Sequence, residues 1–323
     1  MAKLKQRREE NVRGNFYVDS TCIDCDTCRW VAPEVFSRVG DQSAVHAQPM
    51  EATAQLRAMQ ALLSCPTASI GTVEKPEDIK LAQASFPILV EDNVYYCGYH
   101  SESSFGAASY LIQRPEGNVL IDSPRFAPPL VKRLEAMGGI KYMYLTHQDD
   151  VADHEKFHRH FGCDRAAPPC DRAAPPCDRA APPCDRAAPP CDRILHVDDI
   201  TSSTEGVEIK LEGSEAVELA PDFLIIPVPG HTKGHTVLLY GQKFLFTGDH
   251  LAWSTLLNHL YAFRRHCWYS WSEQIKSMEK LAGYSFEWVL PGHGRRYHGD
   301  KETTSKQMEQ CIAWMKQNYS NEQ

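Results

Sequence analysis

The sequence predicts an α/β protein in two parts, a small cysteine-rich α+β unit followed by a larger layered α/β domain. Three observations support this. Four cysteines fall in one ordered group, Cys22, Cys25 and Cys28 with a distant Cys65-Pro66. From residue 85 onward, short apolar runs (NVLID, KYMYLT, FLIIPVP, TVLLY, KFLFTGD) alternate with helical segments, as strands layered against helices do. In that second region histidines and aspartates stand where the apolar runs end.

The 323 residues suffice for two domains, each expected to have its own core. The apolar fraction of 42% is ordinary for a globular chain, and no apolar run reaches the roughly 20 residues that span a bilayer. A net charge of −8 gives no electrostatic reason to expect nucleic acid as a partner. Residues 1–14, MAKLKQRREENVRG, are basic but lack an apolar core and a cleavage pattern, so they read as a solvated, disordered tail rather than a secretory signal. With an oxidant-sensitive cysteine motif and no such signal, a cytoplasmic location is expected.

Residues 15–75 form the small unit. Leu56, Met59, Leu62 and Leu63 recur at helical spacing between its cysteine groups and should pack beneath them. Residues 76–87 read as a linker into the main domain at 88–300, and 301–323 as a C-terminal helix and tail. Ser270-x-x-Glu273 has the form of a capping box ahead of Ile275, Met278 and Leu281 on one face. Met308, Cys311, Ile312 and Met315 make a similar stripe, expected as core. One segment breaks the pattern. From Cys163 the heptapeptide CDRAAPP occurs four times, and a fifth CDR leads into ILHV. Without residues 163–190 the chain reads HFG-CDR-ILHV, a helix-to-strand connection of ordinary length. Its paired prolines exclude a helix and it has little to bury, so it is expected to be a flexible surface insertion whose cysteines form no metal array.

Two-residue gaps let three thiolates converge on one small inorganic core. The run CIDCDTCRWVAPEVF and the closing CPTASI resemble the bacterial-type ferredoxin family. That resemblance implies a [4Fe–4S] cluster held by Cys22, Cys25, Cys28 and Cys65. In two-cluster members the fourth cysteine follows closely and serves the other cluster. Here 36 residues intervene and no second set of four appears, so one cluster is expected. A structural zinc on four thiolates is the alternative.

The second constellation lies at strand ends. His147 and Asp149 follow KYMYLT, Asp153 and His154 come shortly after, His231 ends FLIIPVPGH, Asp249 ends KFLFTGD, and His293 ends FEWVLPGH. Strand ends of a layered α/β fold converge on one edge, and imidazoles with carboxylates suit zinc, iron or manganese. Pro-Gly-His-x-x-Gly-His, Thr-Gly-Asp and Pro-Gly-His, in that order, resemble the metallo-β-lactamase superfamily over residues 88–300. The resemblance implies a four-layer αβ/βα sandwich holding one or two divalent ions, with His231 on the first, His293 on the second and Asp249 bridging. The opening motif departs from the family's His-x-His-x-Asp-His, for this chain has HQDDVADH. Asp149 stands in place of the second histidine. A two-residue insertion is expected to bring Asp153 and His154 into the site; without it the pair becomes Val151-Ala152, which cannot bind metal.

From these residues the favoured expectation is a metal-dependent hydrolase acting on a small ester, thioester or lactone. A metal-activated water would attack, and Asp249 or Asp153 would handle protons. An iron-dependent oxidoreductase fed electrons by the ferredoxin-like unit, with a possible redox partner protein, is the alternative. A non-enzymatic electron-transfer or scaffold protein with a degenerate pocket is the third reading. Arg264, Arg265, His266, Arg295 and Arg296 are expected first as solvated loop charge; the alternative is positive charge near the presumed ligands, with Arg295 the best placed to touch substrate. Asp122, at the end of VLID, is expected to steady a ligand or turn from behind. Cys97 and His100 are expected near the domain boundary. Neither nucleic acid nor membrane is expected as a partner.

Overall fold

The computed structural model of the protein describes residues 2–76, 79–162 and 191–318; the CDRAAPP repeat, and the insertion expected there, lies outside the described residues. The N-terminal unit contains β1 (Phe16–Val18), α1 (Thr27–Val31), β2 (Phe36–Val39), β3 (Gln42–Val45), α2 (Ala52–Ser64) and β4 (Ile70–Thr72). β1 and β4 pair antiparallel, and β2 and β3 form a hairpin. Helix α2 buries Met59 and Leu63 of the expected stripe and leaves Leu56 and Leu62 half-buried against the same apolar cluster, and Cys65 caps its C-terminus.

Residues 2–14, expected as a disordered tail, instead pack along this unit. The Lys3 amide donates to Asp19 at 2.8 Å and the Arg8 guanidinium to the Ser43 carbonyl at 2.6 Å. Buried Asn11 joins two strands, since its Oδ1 accepts from the Val18 and Val45 amides and its Nδ2 donates to the Val18 carbonyl. Basic composition hid an amide that satisfies otherwise unpaired strand backbone. The expected linker is also structured, containing α3 (Ile79–Ala84) and the fully buried Phe86.

The larger domain opens with a seven-stranded sheet laid out in sequence order. Its strands are β5 (Ile88–Glu91), β6 (Val94–Tyr96), β7 (Tyr110–Ile112), β8 (Val119–Ile121), β9 (Tyr142–Tyr144), β10 (Asp192–His196) and β11 (Ile209–Leu211). β5 to β8 run antiparallel, while β8 to β11 run parallel, with α4 (Pro128–Ala136) and α5 (His154–Gly162) in the first two crossovers. The chain continues through β12 (Val217–Ala220), β13 (Phe223–Pro227), β14 (Thr236–Tyr240) and β15 (Phe244–Gly248). After the hairpin β16 (Ala252–Ser254) and β17 (His259–Tyr261) come α6 (Trp271–Leu281), β18 (Trp288–Pro291), β19 (Tyr297–His298) and α7 (Lys301–Gln317). The second sheet has the order β12-β13-β14-β15-β18-β19, with β15 and β18 parallel.

Side chains on alternate faces of the second sheet divide between two cores. Phe223, Ile225, Leu238, Tyr240, Phe244 and Phe246 face the first sheet. Their neighbours Ile226, Val237, Leu239, Leu245 and Val289 pack instead with Met278 and Leu281 of α6 and Met308, Cys311 and Met315 of α7. Rings meet between the sheets, Tyr110 with Phe246 at 5.5 Å and Tyr144 with Phe223 at 6.5 Å. Since one face of the first sheet meets the second, α4 and α5 cover its other face, completing a four-layer αβ/βα sandwich. Ser270 caps α6 by accepting from the Glu273 amide at 3.3 Å, the bond its sequence motif predicts.

The expectation of two separate cores does not hold. Val18, Met59 and Ile70 of the N-terminal unit belong to the same apolar cluster as Tyr96, Leu111 and Ile121 of the first sheet. Trp30 packs edge-on against Tyr96 at 5.0 Å. A unit of this size buries too little apolar surface alone and gains by leaning on its neighbour. Among the described residues no helix is long and apolar enough to cross a membrane.

Candidate functional site

β9, β13, β15 and β18 end on the same side of the sandwich, and the loops beyond them carry His147, His231, Asp249 and His293. His147 Nε2 lies 3.8 Å from Asp149 Oδ2 and 3.9 Å from Asp249 Oδ2. His231 Nε2 lies 3.4 and 3.8 Å from those same two atoms. His293 Nδ1 is 2.7 Å from Asp249 Oδ1. Five of the expected ligands therefore meet in one place. Two groups of three have donor atoms within 4.8 Å of one another: His147, Asp149 and His231, and His147, Asp150 and Asp249.

Asp150 is the candidate ligand that sequence reasoning missed. It is 1% exposed, and neither carboxylate oxygen has a hydrogen-bond partner among the described residues. Burial and the nearby charge of Asp249 push its carboxyl well above the usual range. A buried, unpartnered carboxylate is costly unless a cation answers it. His147 Nε2, both ring nitrogens of His231 and His293 Nε2 are likewise buried without partners. These orphaned donors fit a divalent ion, and a set of imidazoles and carboxylates lacking thiolate suits iron, manganese or zinc. Burial alone would raise Asp249, but His293, His147 and His231 hold it well below the carboxylate range. Burial opposes a charge on His293, yet Asp249 raises it to about 10, while burial lowers His147 to about 4.

The surrounding residues aim these groups. Asp122 accepts from the Thr146 amide at 2.8 Å and from its hydroxyl at 3.0 Å. With that hydroxyl donating to Asp122, His147 Nδ1–H donates to it at 3.0 Å, leaving the Nε2 lone pair turned to the pocket. Buried Asp199 accepts from the Gln148 and Gly234 amides and the Thr232 hydroxyl, stitching the His147 loop to the His231 loop. His235 stacks on His147 at 4.8 Å and its Nε2 accepts from the Asp249 amide at 3.3 Å. His250 packs behind His235 at 5.5 Å. A Cβ at Gly292 would stand 2.6 Å from Asp150 Oδ2 and 3.1 Å from Asp249 Oδ1, so only glycine lets both carboxylates approach.

Asp153 and His154 are not brought to the pocket. Asp153 accepts from the Phe126 amide and from Lys156, each at 2.7 Å, just ahead of α5. His154, the first residue of α5, turns its Nδ1 to Arg193, which Glu208 holds. The loop resolves the odd motif by turning Asp150 inward rather than by accommodating an insertion, and this removes Asp153 as a proton carrier. Arg295 lines the cleft but donates to Asp26 at 3.3 Å, so its charge is committed to the N-terminal unit.

Cys22, Cys25, Cys28 and Cys65 line one small cavity together with Val18, Ile23 and Ile70. All four thiols are free, the Ser69 amide donates to Cys65 Sγ at 3.2 Å, and the Ser43 amide to Cys22 Sγ at 3.5 Å. Burial, reinforced by the other cysteines, raises the Cys25 thiol to about 11 and Cys28 well above its ordinary value. Four free thiols around one cavity, two of them accepting backbone amide bonds, fit a site completed by iron. Cys25 also lines a cleft of about 1050 Å³ shared with Asp149, Asp150, His231, Asp249 and His293. Phe105 and Trp268 stand in that cleft, 55% and 62% exposed.

Residues 18–72 match the family model described as the 4Fe-4S single cluster domain of Ferredoxin I. No curated protein matches the sequence. Among solved structures, the chain is similar to a metallo-β-lactamase from Hirschia baltica, at 14% identity and a TM-score of 0.48 over 71% of this chain and 95% of that one. A metallo-β-lactamase from Pontibacter korlensis shows 15% identity and a TM-score of 0.47 over 71% and 97%. The mono-zinc form of FIM-1 from Pseudomonas aeruginosa shows 13% identity and 0.46 over 70% and 93%. Residues 18–72, which match the single-cluster [4Fe–4S] ferredoxin model, are joined to a four-layer αβ/βα sandwich.

Proposed function

We propose that this chain is an iron-dependent oxidoreductase in which the ferredoxin domain exchanges electrons with an iron site at the strand ends. The observation that carries this reading is Cys25, a cluster thiolate by its motif, in the wall of the cleft that holds the metal-ligand candidates. The backbone of Gly106 lies against Cys25, where a Cβ would stand 3.2 Å from Sγ, and the ring of the adjoining Phe105 is 6.2 Å from that of His293. A few packed groups thus separate the two centres.

The ligand set agrees. His147, His231 and Asp149 supply two imidazoles and one carboxylate with open positions, a set suited to non-haem iron. Asp249, Asp150 and His293 stand ready for a second ion. Iron held here would supply one-electron chemistry and polarise a bound oxygen atom of the substrate. The protein's part is to orient the ligands and the substrate. Asp122 and Thr146 keep His147 in one tautomer, Asp199 fixes the two ligand loops together, and the rings of Phe105, Tyr261, Phe263 and Trp268 offer an organic substrate an apolar face. A cleft of about 1050 Å³ is far larger than a diatomic molecule needs.

Hydrolysis of an ester, thioester or lactone by metal-activated water is the second reading. It is favoured by the open cleft and by Asp150, a carboxylate that can carry a proton beside the ions.

Purification without oxygen, followed by iron, sulfide and zinc analysis and by dithionite reduction, tests the choice. The oxidoreductase reading expects about four irons with sulfide for the cluster, plus one or two further irons that are reduced as the cluster bleaches and reoxidised as it recovers. Two zincs, and a cluster colour indifferent to them, would transfer the assignment to hydrolysis.

A further inference from the structure

The loop that carries His293 is fastened to the loop that carries the cluster cysteines. Asp26 stands directly after Cys25, and its Oδ2 accepts from Arg295 Nε at 3.3 Å. Trp30 stands two residues after Cys28, and the Arg296 guanidinium lies 4.6 Å from its ring centre. The same guanidinium is 4.2 Å from the ring centre of Tyr96 and 5.2 Å from that of Tyr110, whose hydroxyl accepts from its Nε at 3.3 Å. No carboxylate among the described residues pairs with Arg296, and one of its terminal nitrogens is buried without a partner. Three aromatic faces and one phenol hydroxyl hold this cation. Two consecutive arginines therefore clasp the segment Cys25–Trp30, and both follow His293 by no more than three residues.

The opposite side of the loop is tied as well. The Trp253 amide donates to the Arg295 carbonyl at 2.9 Å, and the Ala108 amide to the Gly292 carbonyl at 2.7 Å. What remains to be fixed is the cluster side. Asp24 and Asp26 both adopt left-handed backbone there, at φ of 59° and 64°, and each is bound by Arg29. A loop so tightly turned holds its shape best when its thiolates share one inorganic core, because binding free energy at such a site is also folding free energy.

We propose that Arg295 and Arg296 are positioning residues that make the seating of His293, and with it the pocket's hold on its ion, depend on the cluster. The cluster orders Cys25–Trp30, Asp26 and Trp30 hold the two arginines, and the arginines hold His293 against Asp249. Loss of the cluster, as under oxidative stress, then loosens the pocket ion without any change to the ligands themselves. The inference rests on the reading of the strand-end pocket as a metal site.

Manganese(II) is a suitable probe because it prefers carboxylate and imidazole to thiolate and its free form is counted by electron paramagnetic resonance. The full chain, with its pocket emptied by a mild chelator, is titrated with the cluster intact and after the cluster has been oxidatively destroyed. Removing the cluster should weaken manganese binding by about 10-fold or more, the scale seen when a group supporting a metal ligand is lost. Cluster-loaded Arg295→Gln should match the cluster-free native chain, lose little more when its own cluster is removed, and be restored by Arg295→Lys. Asp26→Asn, which weakens the same contact from the other side, should behave as Arg295→Gln does. If cluster-loaded Arg295→Gln and Asp26→Asn bind manganese as tightly as the native chain, or weaken as much as it does on cluster loss, the clasp has no such role. A native chain that takes up no manganese sinks the metal reading of the pocket, and this inference with it.

Discussion

Asp150 shows most plainly what a single residue contributes here. It is buried beside His147 and Asp249, and none of the described residues gives its carboxylate a hydrogen-bond partner. Such a carboxylate destabilises the metal-free fold and is repaid only by a cation. Asp150→Asn should therefore have opposite effects on two measurements. The metal-free variant should melt no lower than the native chain, since the amide is already neutral. Its affinity for the pocket ion should fall by at least the roughly 10–100-fold that loss of a supporting partner causes, as read by titration with manganese or iron. A variant that melts lower when metal-free and binds the ion unchanged would mean that Asp150 is structural. The sequence contained the signal in the doublet Asp149-Asp150, but spacing inherited from a related motif drew attention to Asp153 and His154 instead. Nothing in a string of residues separates an aspartate that bonds the Phe126 amide from one turned toward a metal.

At the scale of elements, what was legible followed local physics. Short continuous apolar runs marked the strands of the second sheet, and Ser270-x-x-Glu273 marked the start of α6 to the residue. The stripe Met308, Cys311, Met315 is buried on α7. His147, His231, Asp249 and His293 could be named because glycine turns at strand tips put short-range constraints into the sequence. The supports behind them could not. Asp199 joins Gln148, 51 positions before it, to Gly234, 35 positions after it, and His235 acts by stacking on His147, contacts that only the closed sandwich creates. The N-terminal 14 residues misled for a related reason, since Asn11 earns its place through partners on two different strands.

At the scale of the whole molecule, the two parts share one apolar core and one cleft. Burial lowers four neutral imidazoles in that body: His147 to about 4, His100 and His250 to about 3, and His235 well below its ordinary value. Each depressed folded-state value gives stability that is present above the unfolded value near 6.5 and lost as pH falls toward the folded one. Burial raises Asp122 to about 7 and lifts Asp150 and Asp199 above their ordinary range, and Asp249, against the effect of burial, raises His293 to about 10; these four contribute the opposite slope, but a fifth imidazole, His154, is lowered as well, so the lowered imidazoles outnumber them. The chelator-treated chain should therefore unfold at lower urea at pH 5.5 than at pH 7; a higher midpoint at pH 5.5 would mean that the raised groups dominate.

On the proposed function, the cluster and the pocket ion face each other across this single cleft, near enough to exchange an electron. Power saturation of the reduced cluster's paramagnetic resonance measures it directly, because a nearby paramagnetic ion speeds the cluster's spin relaxation. With manganese in the pocket the signal should saturate at clearly higher microwave power than with zinc. Identical saturation with the two ions, both shown to be bound, would contradict the account.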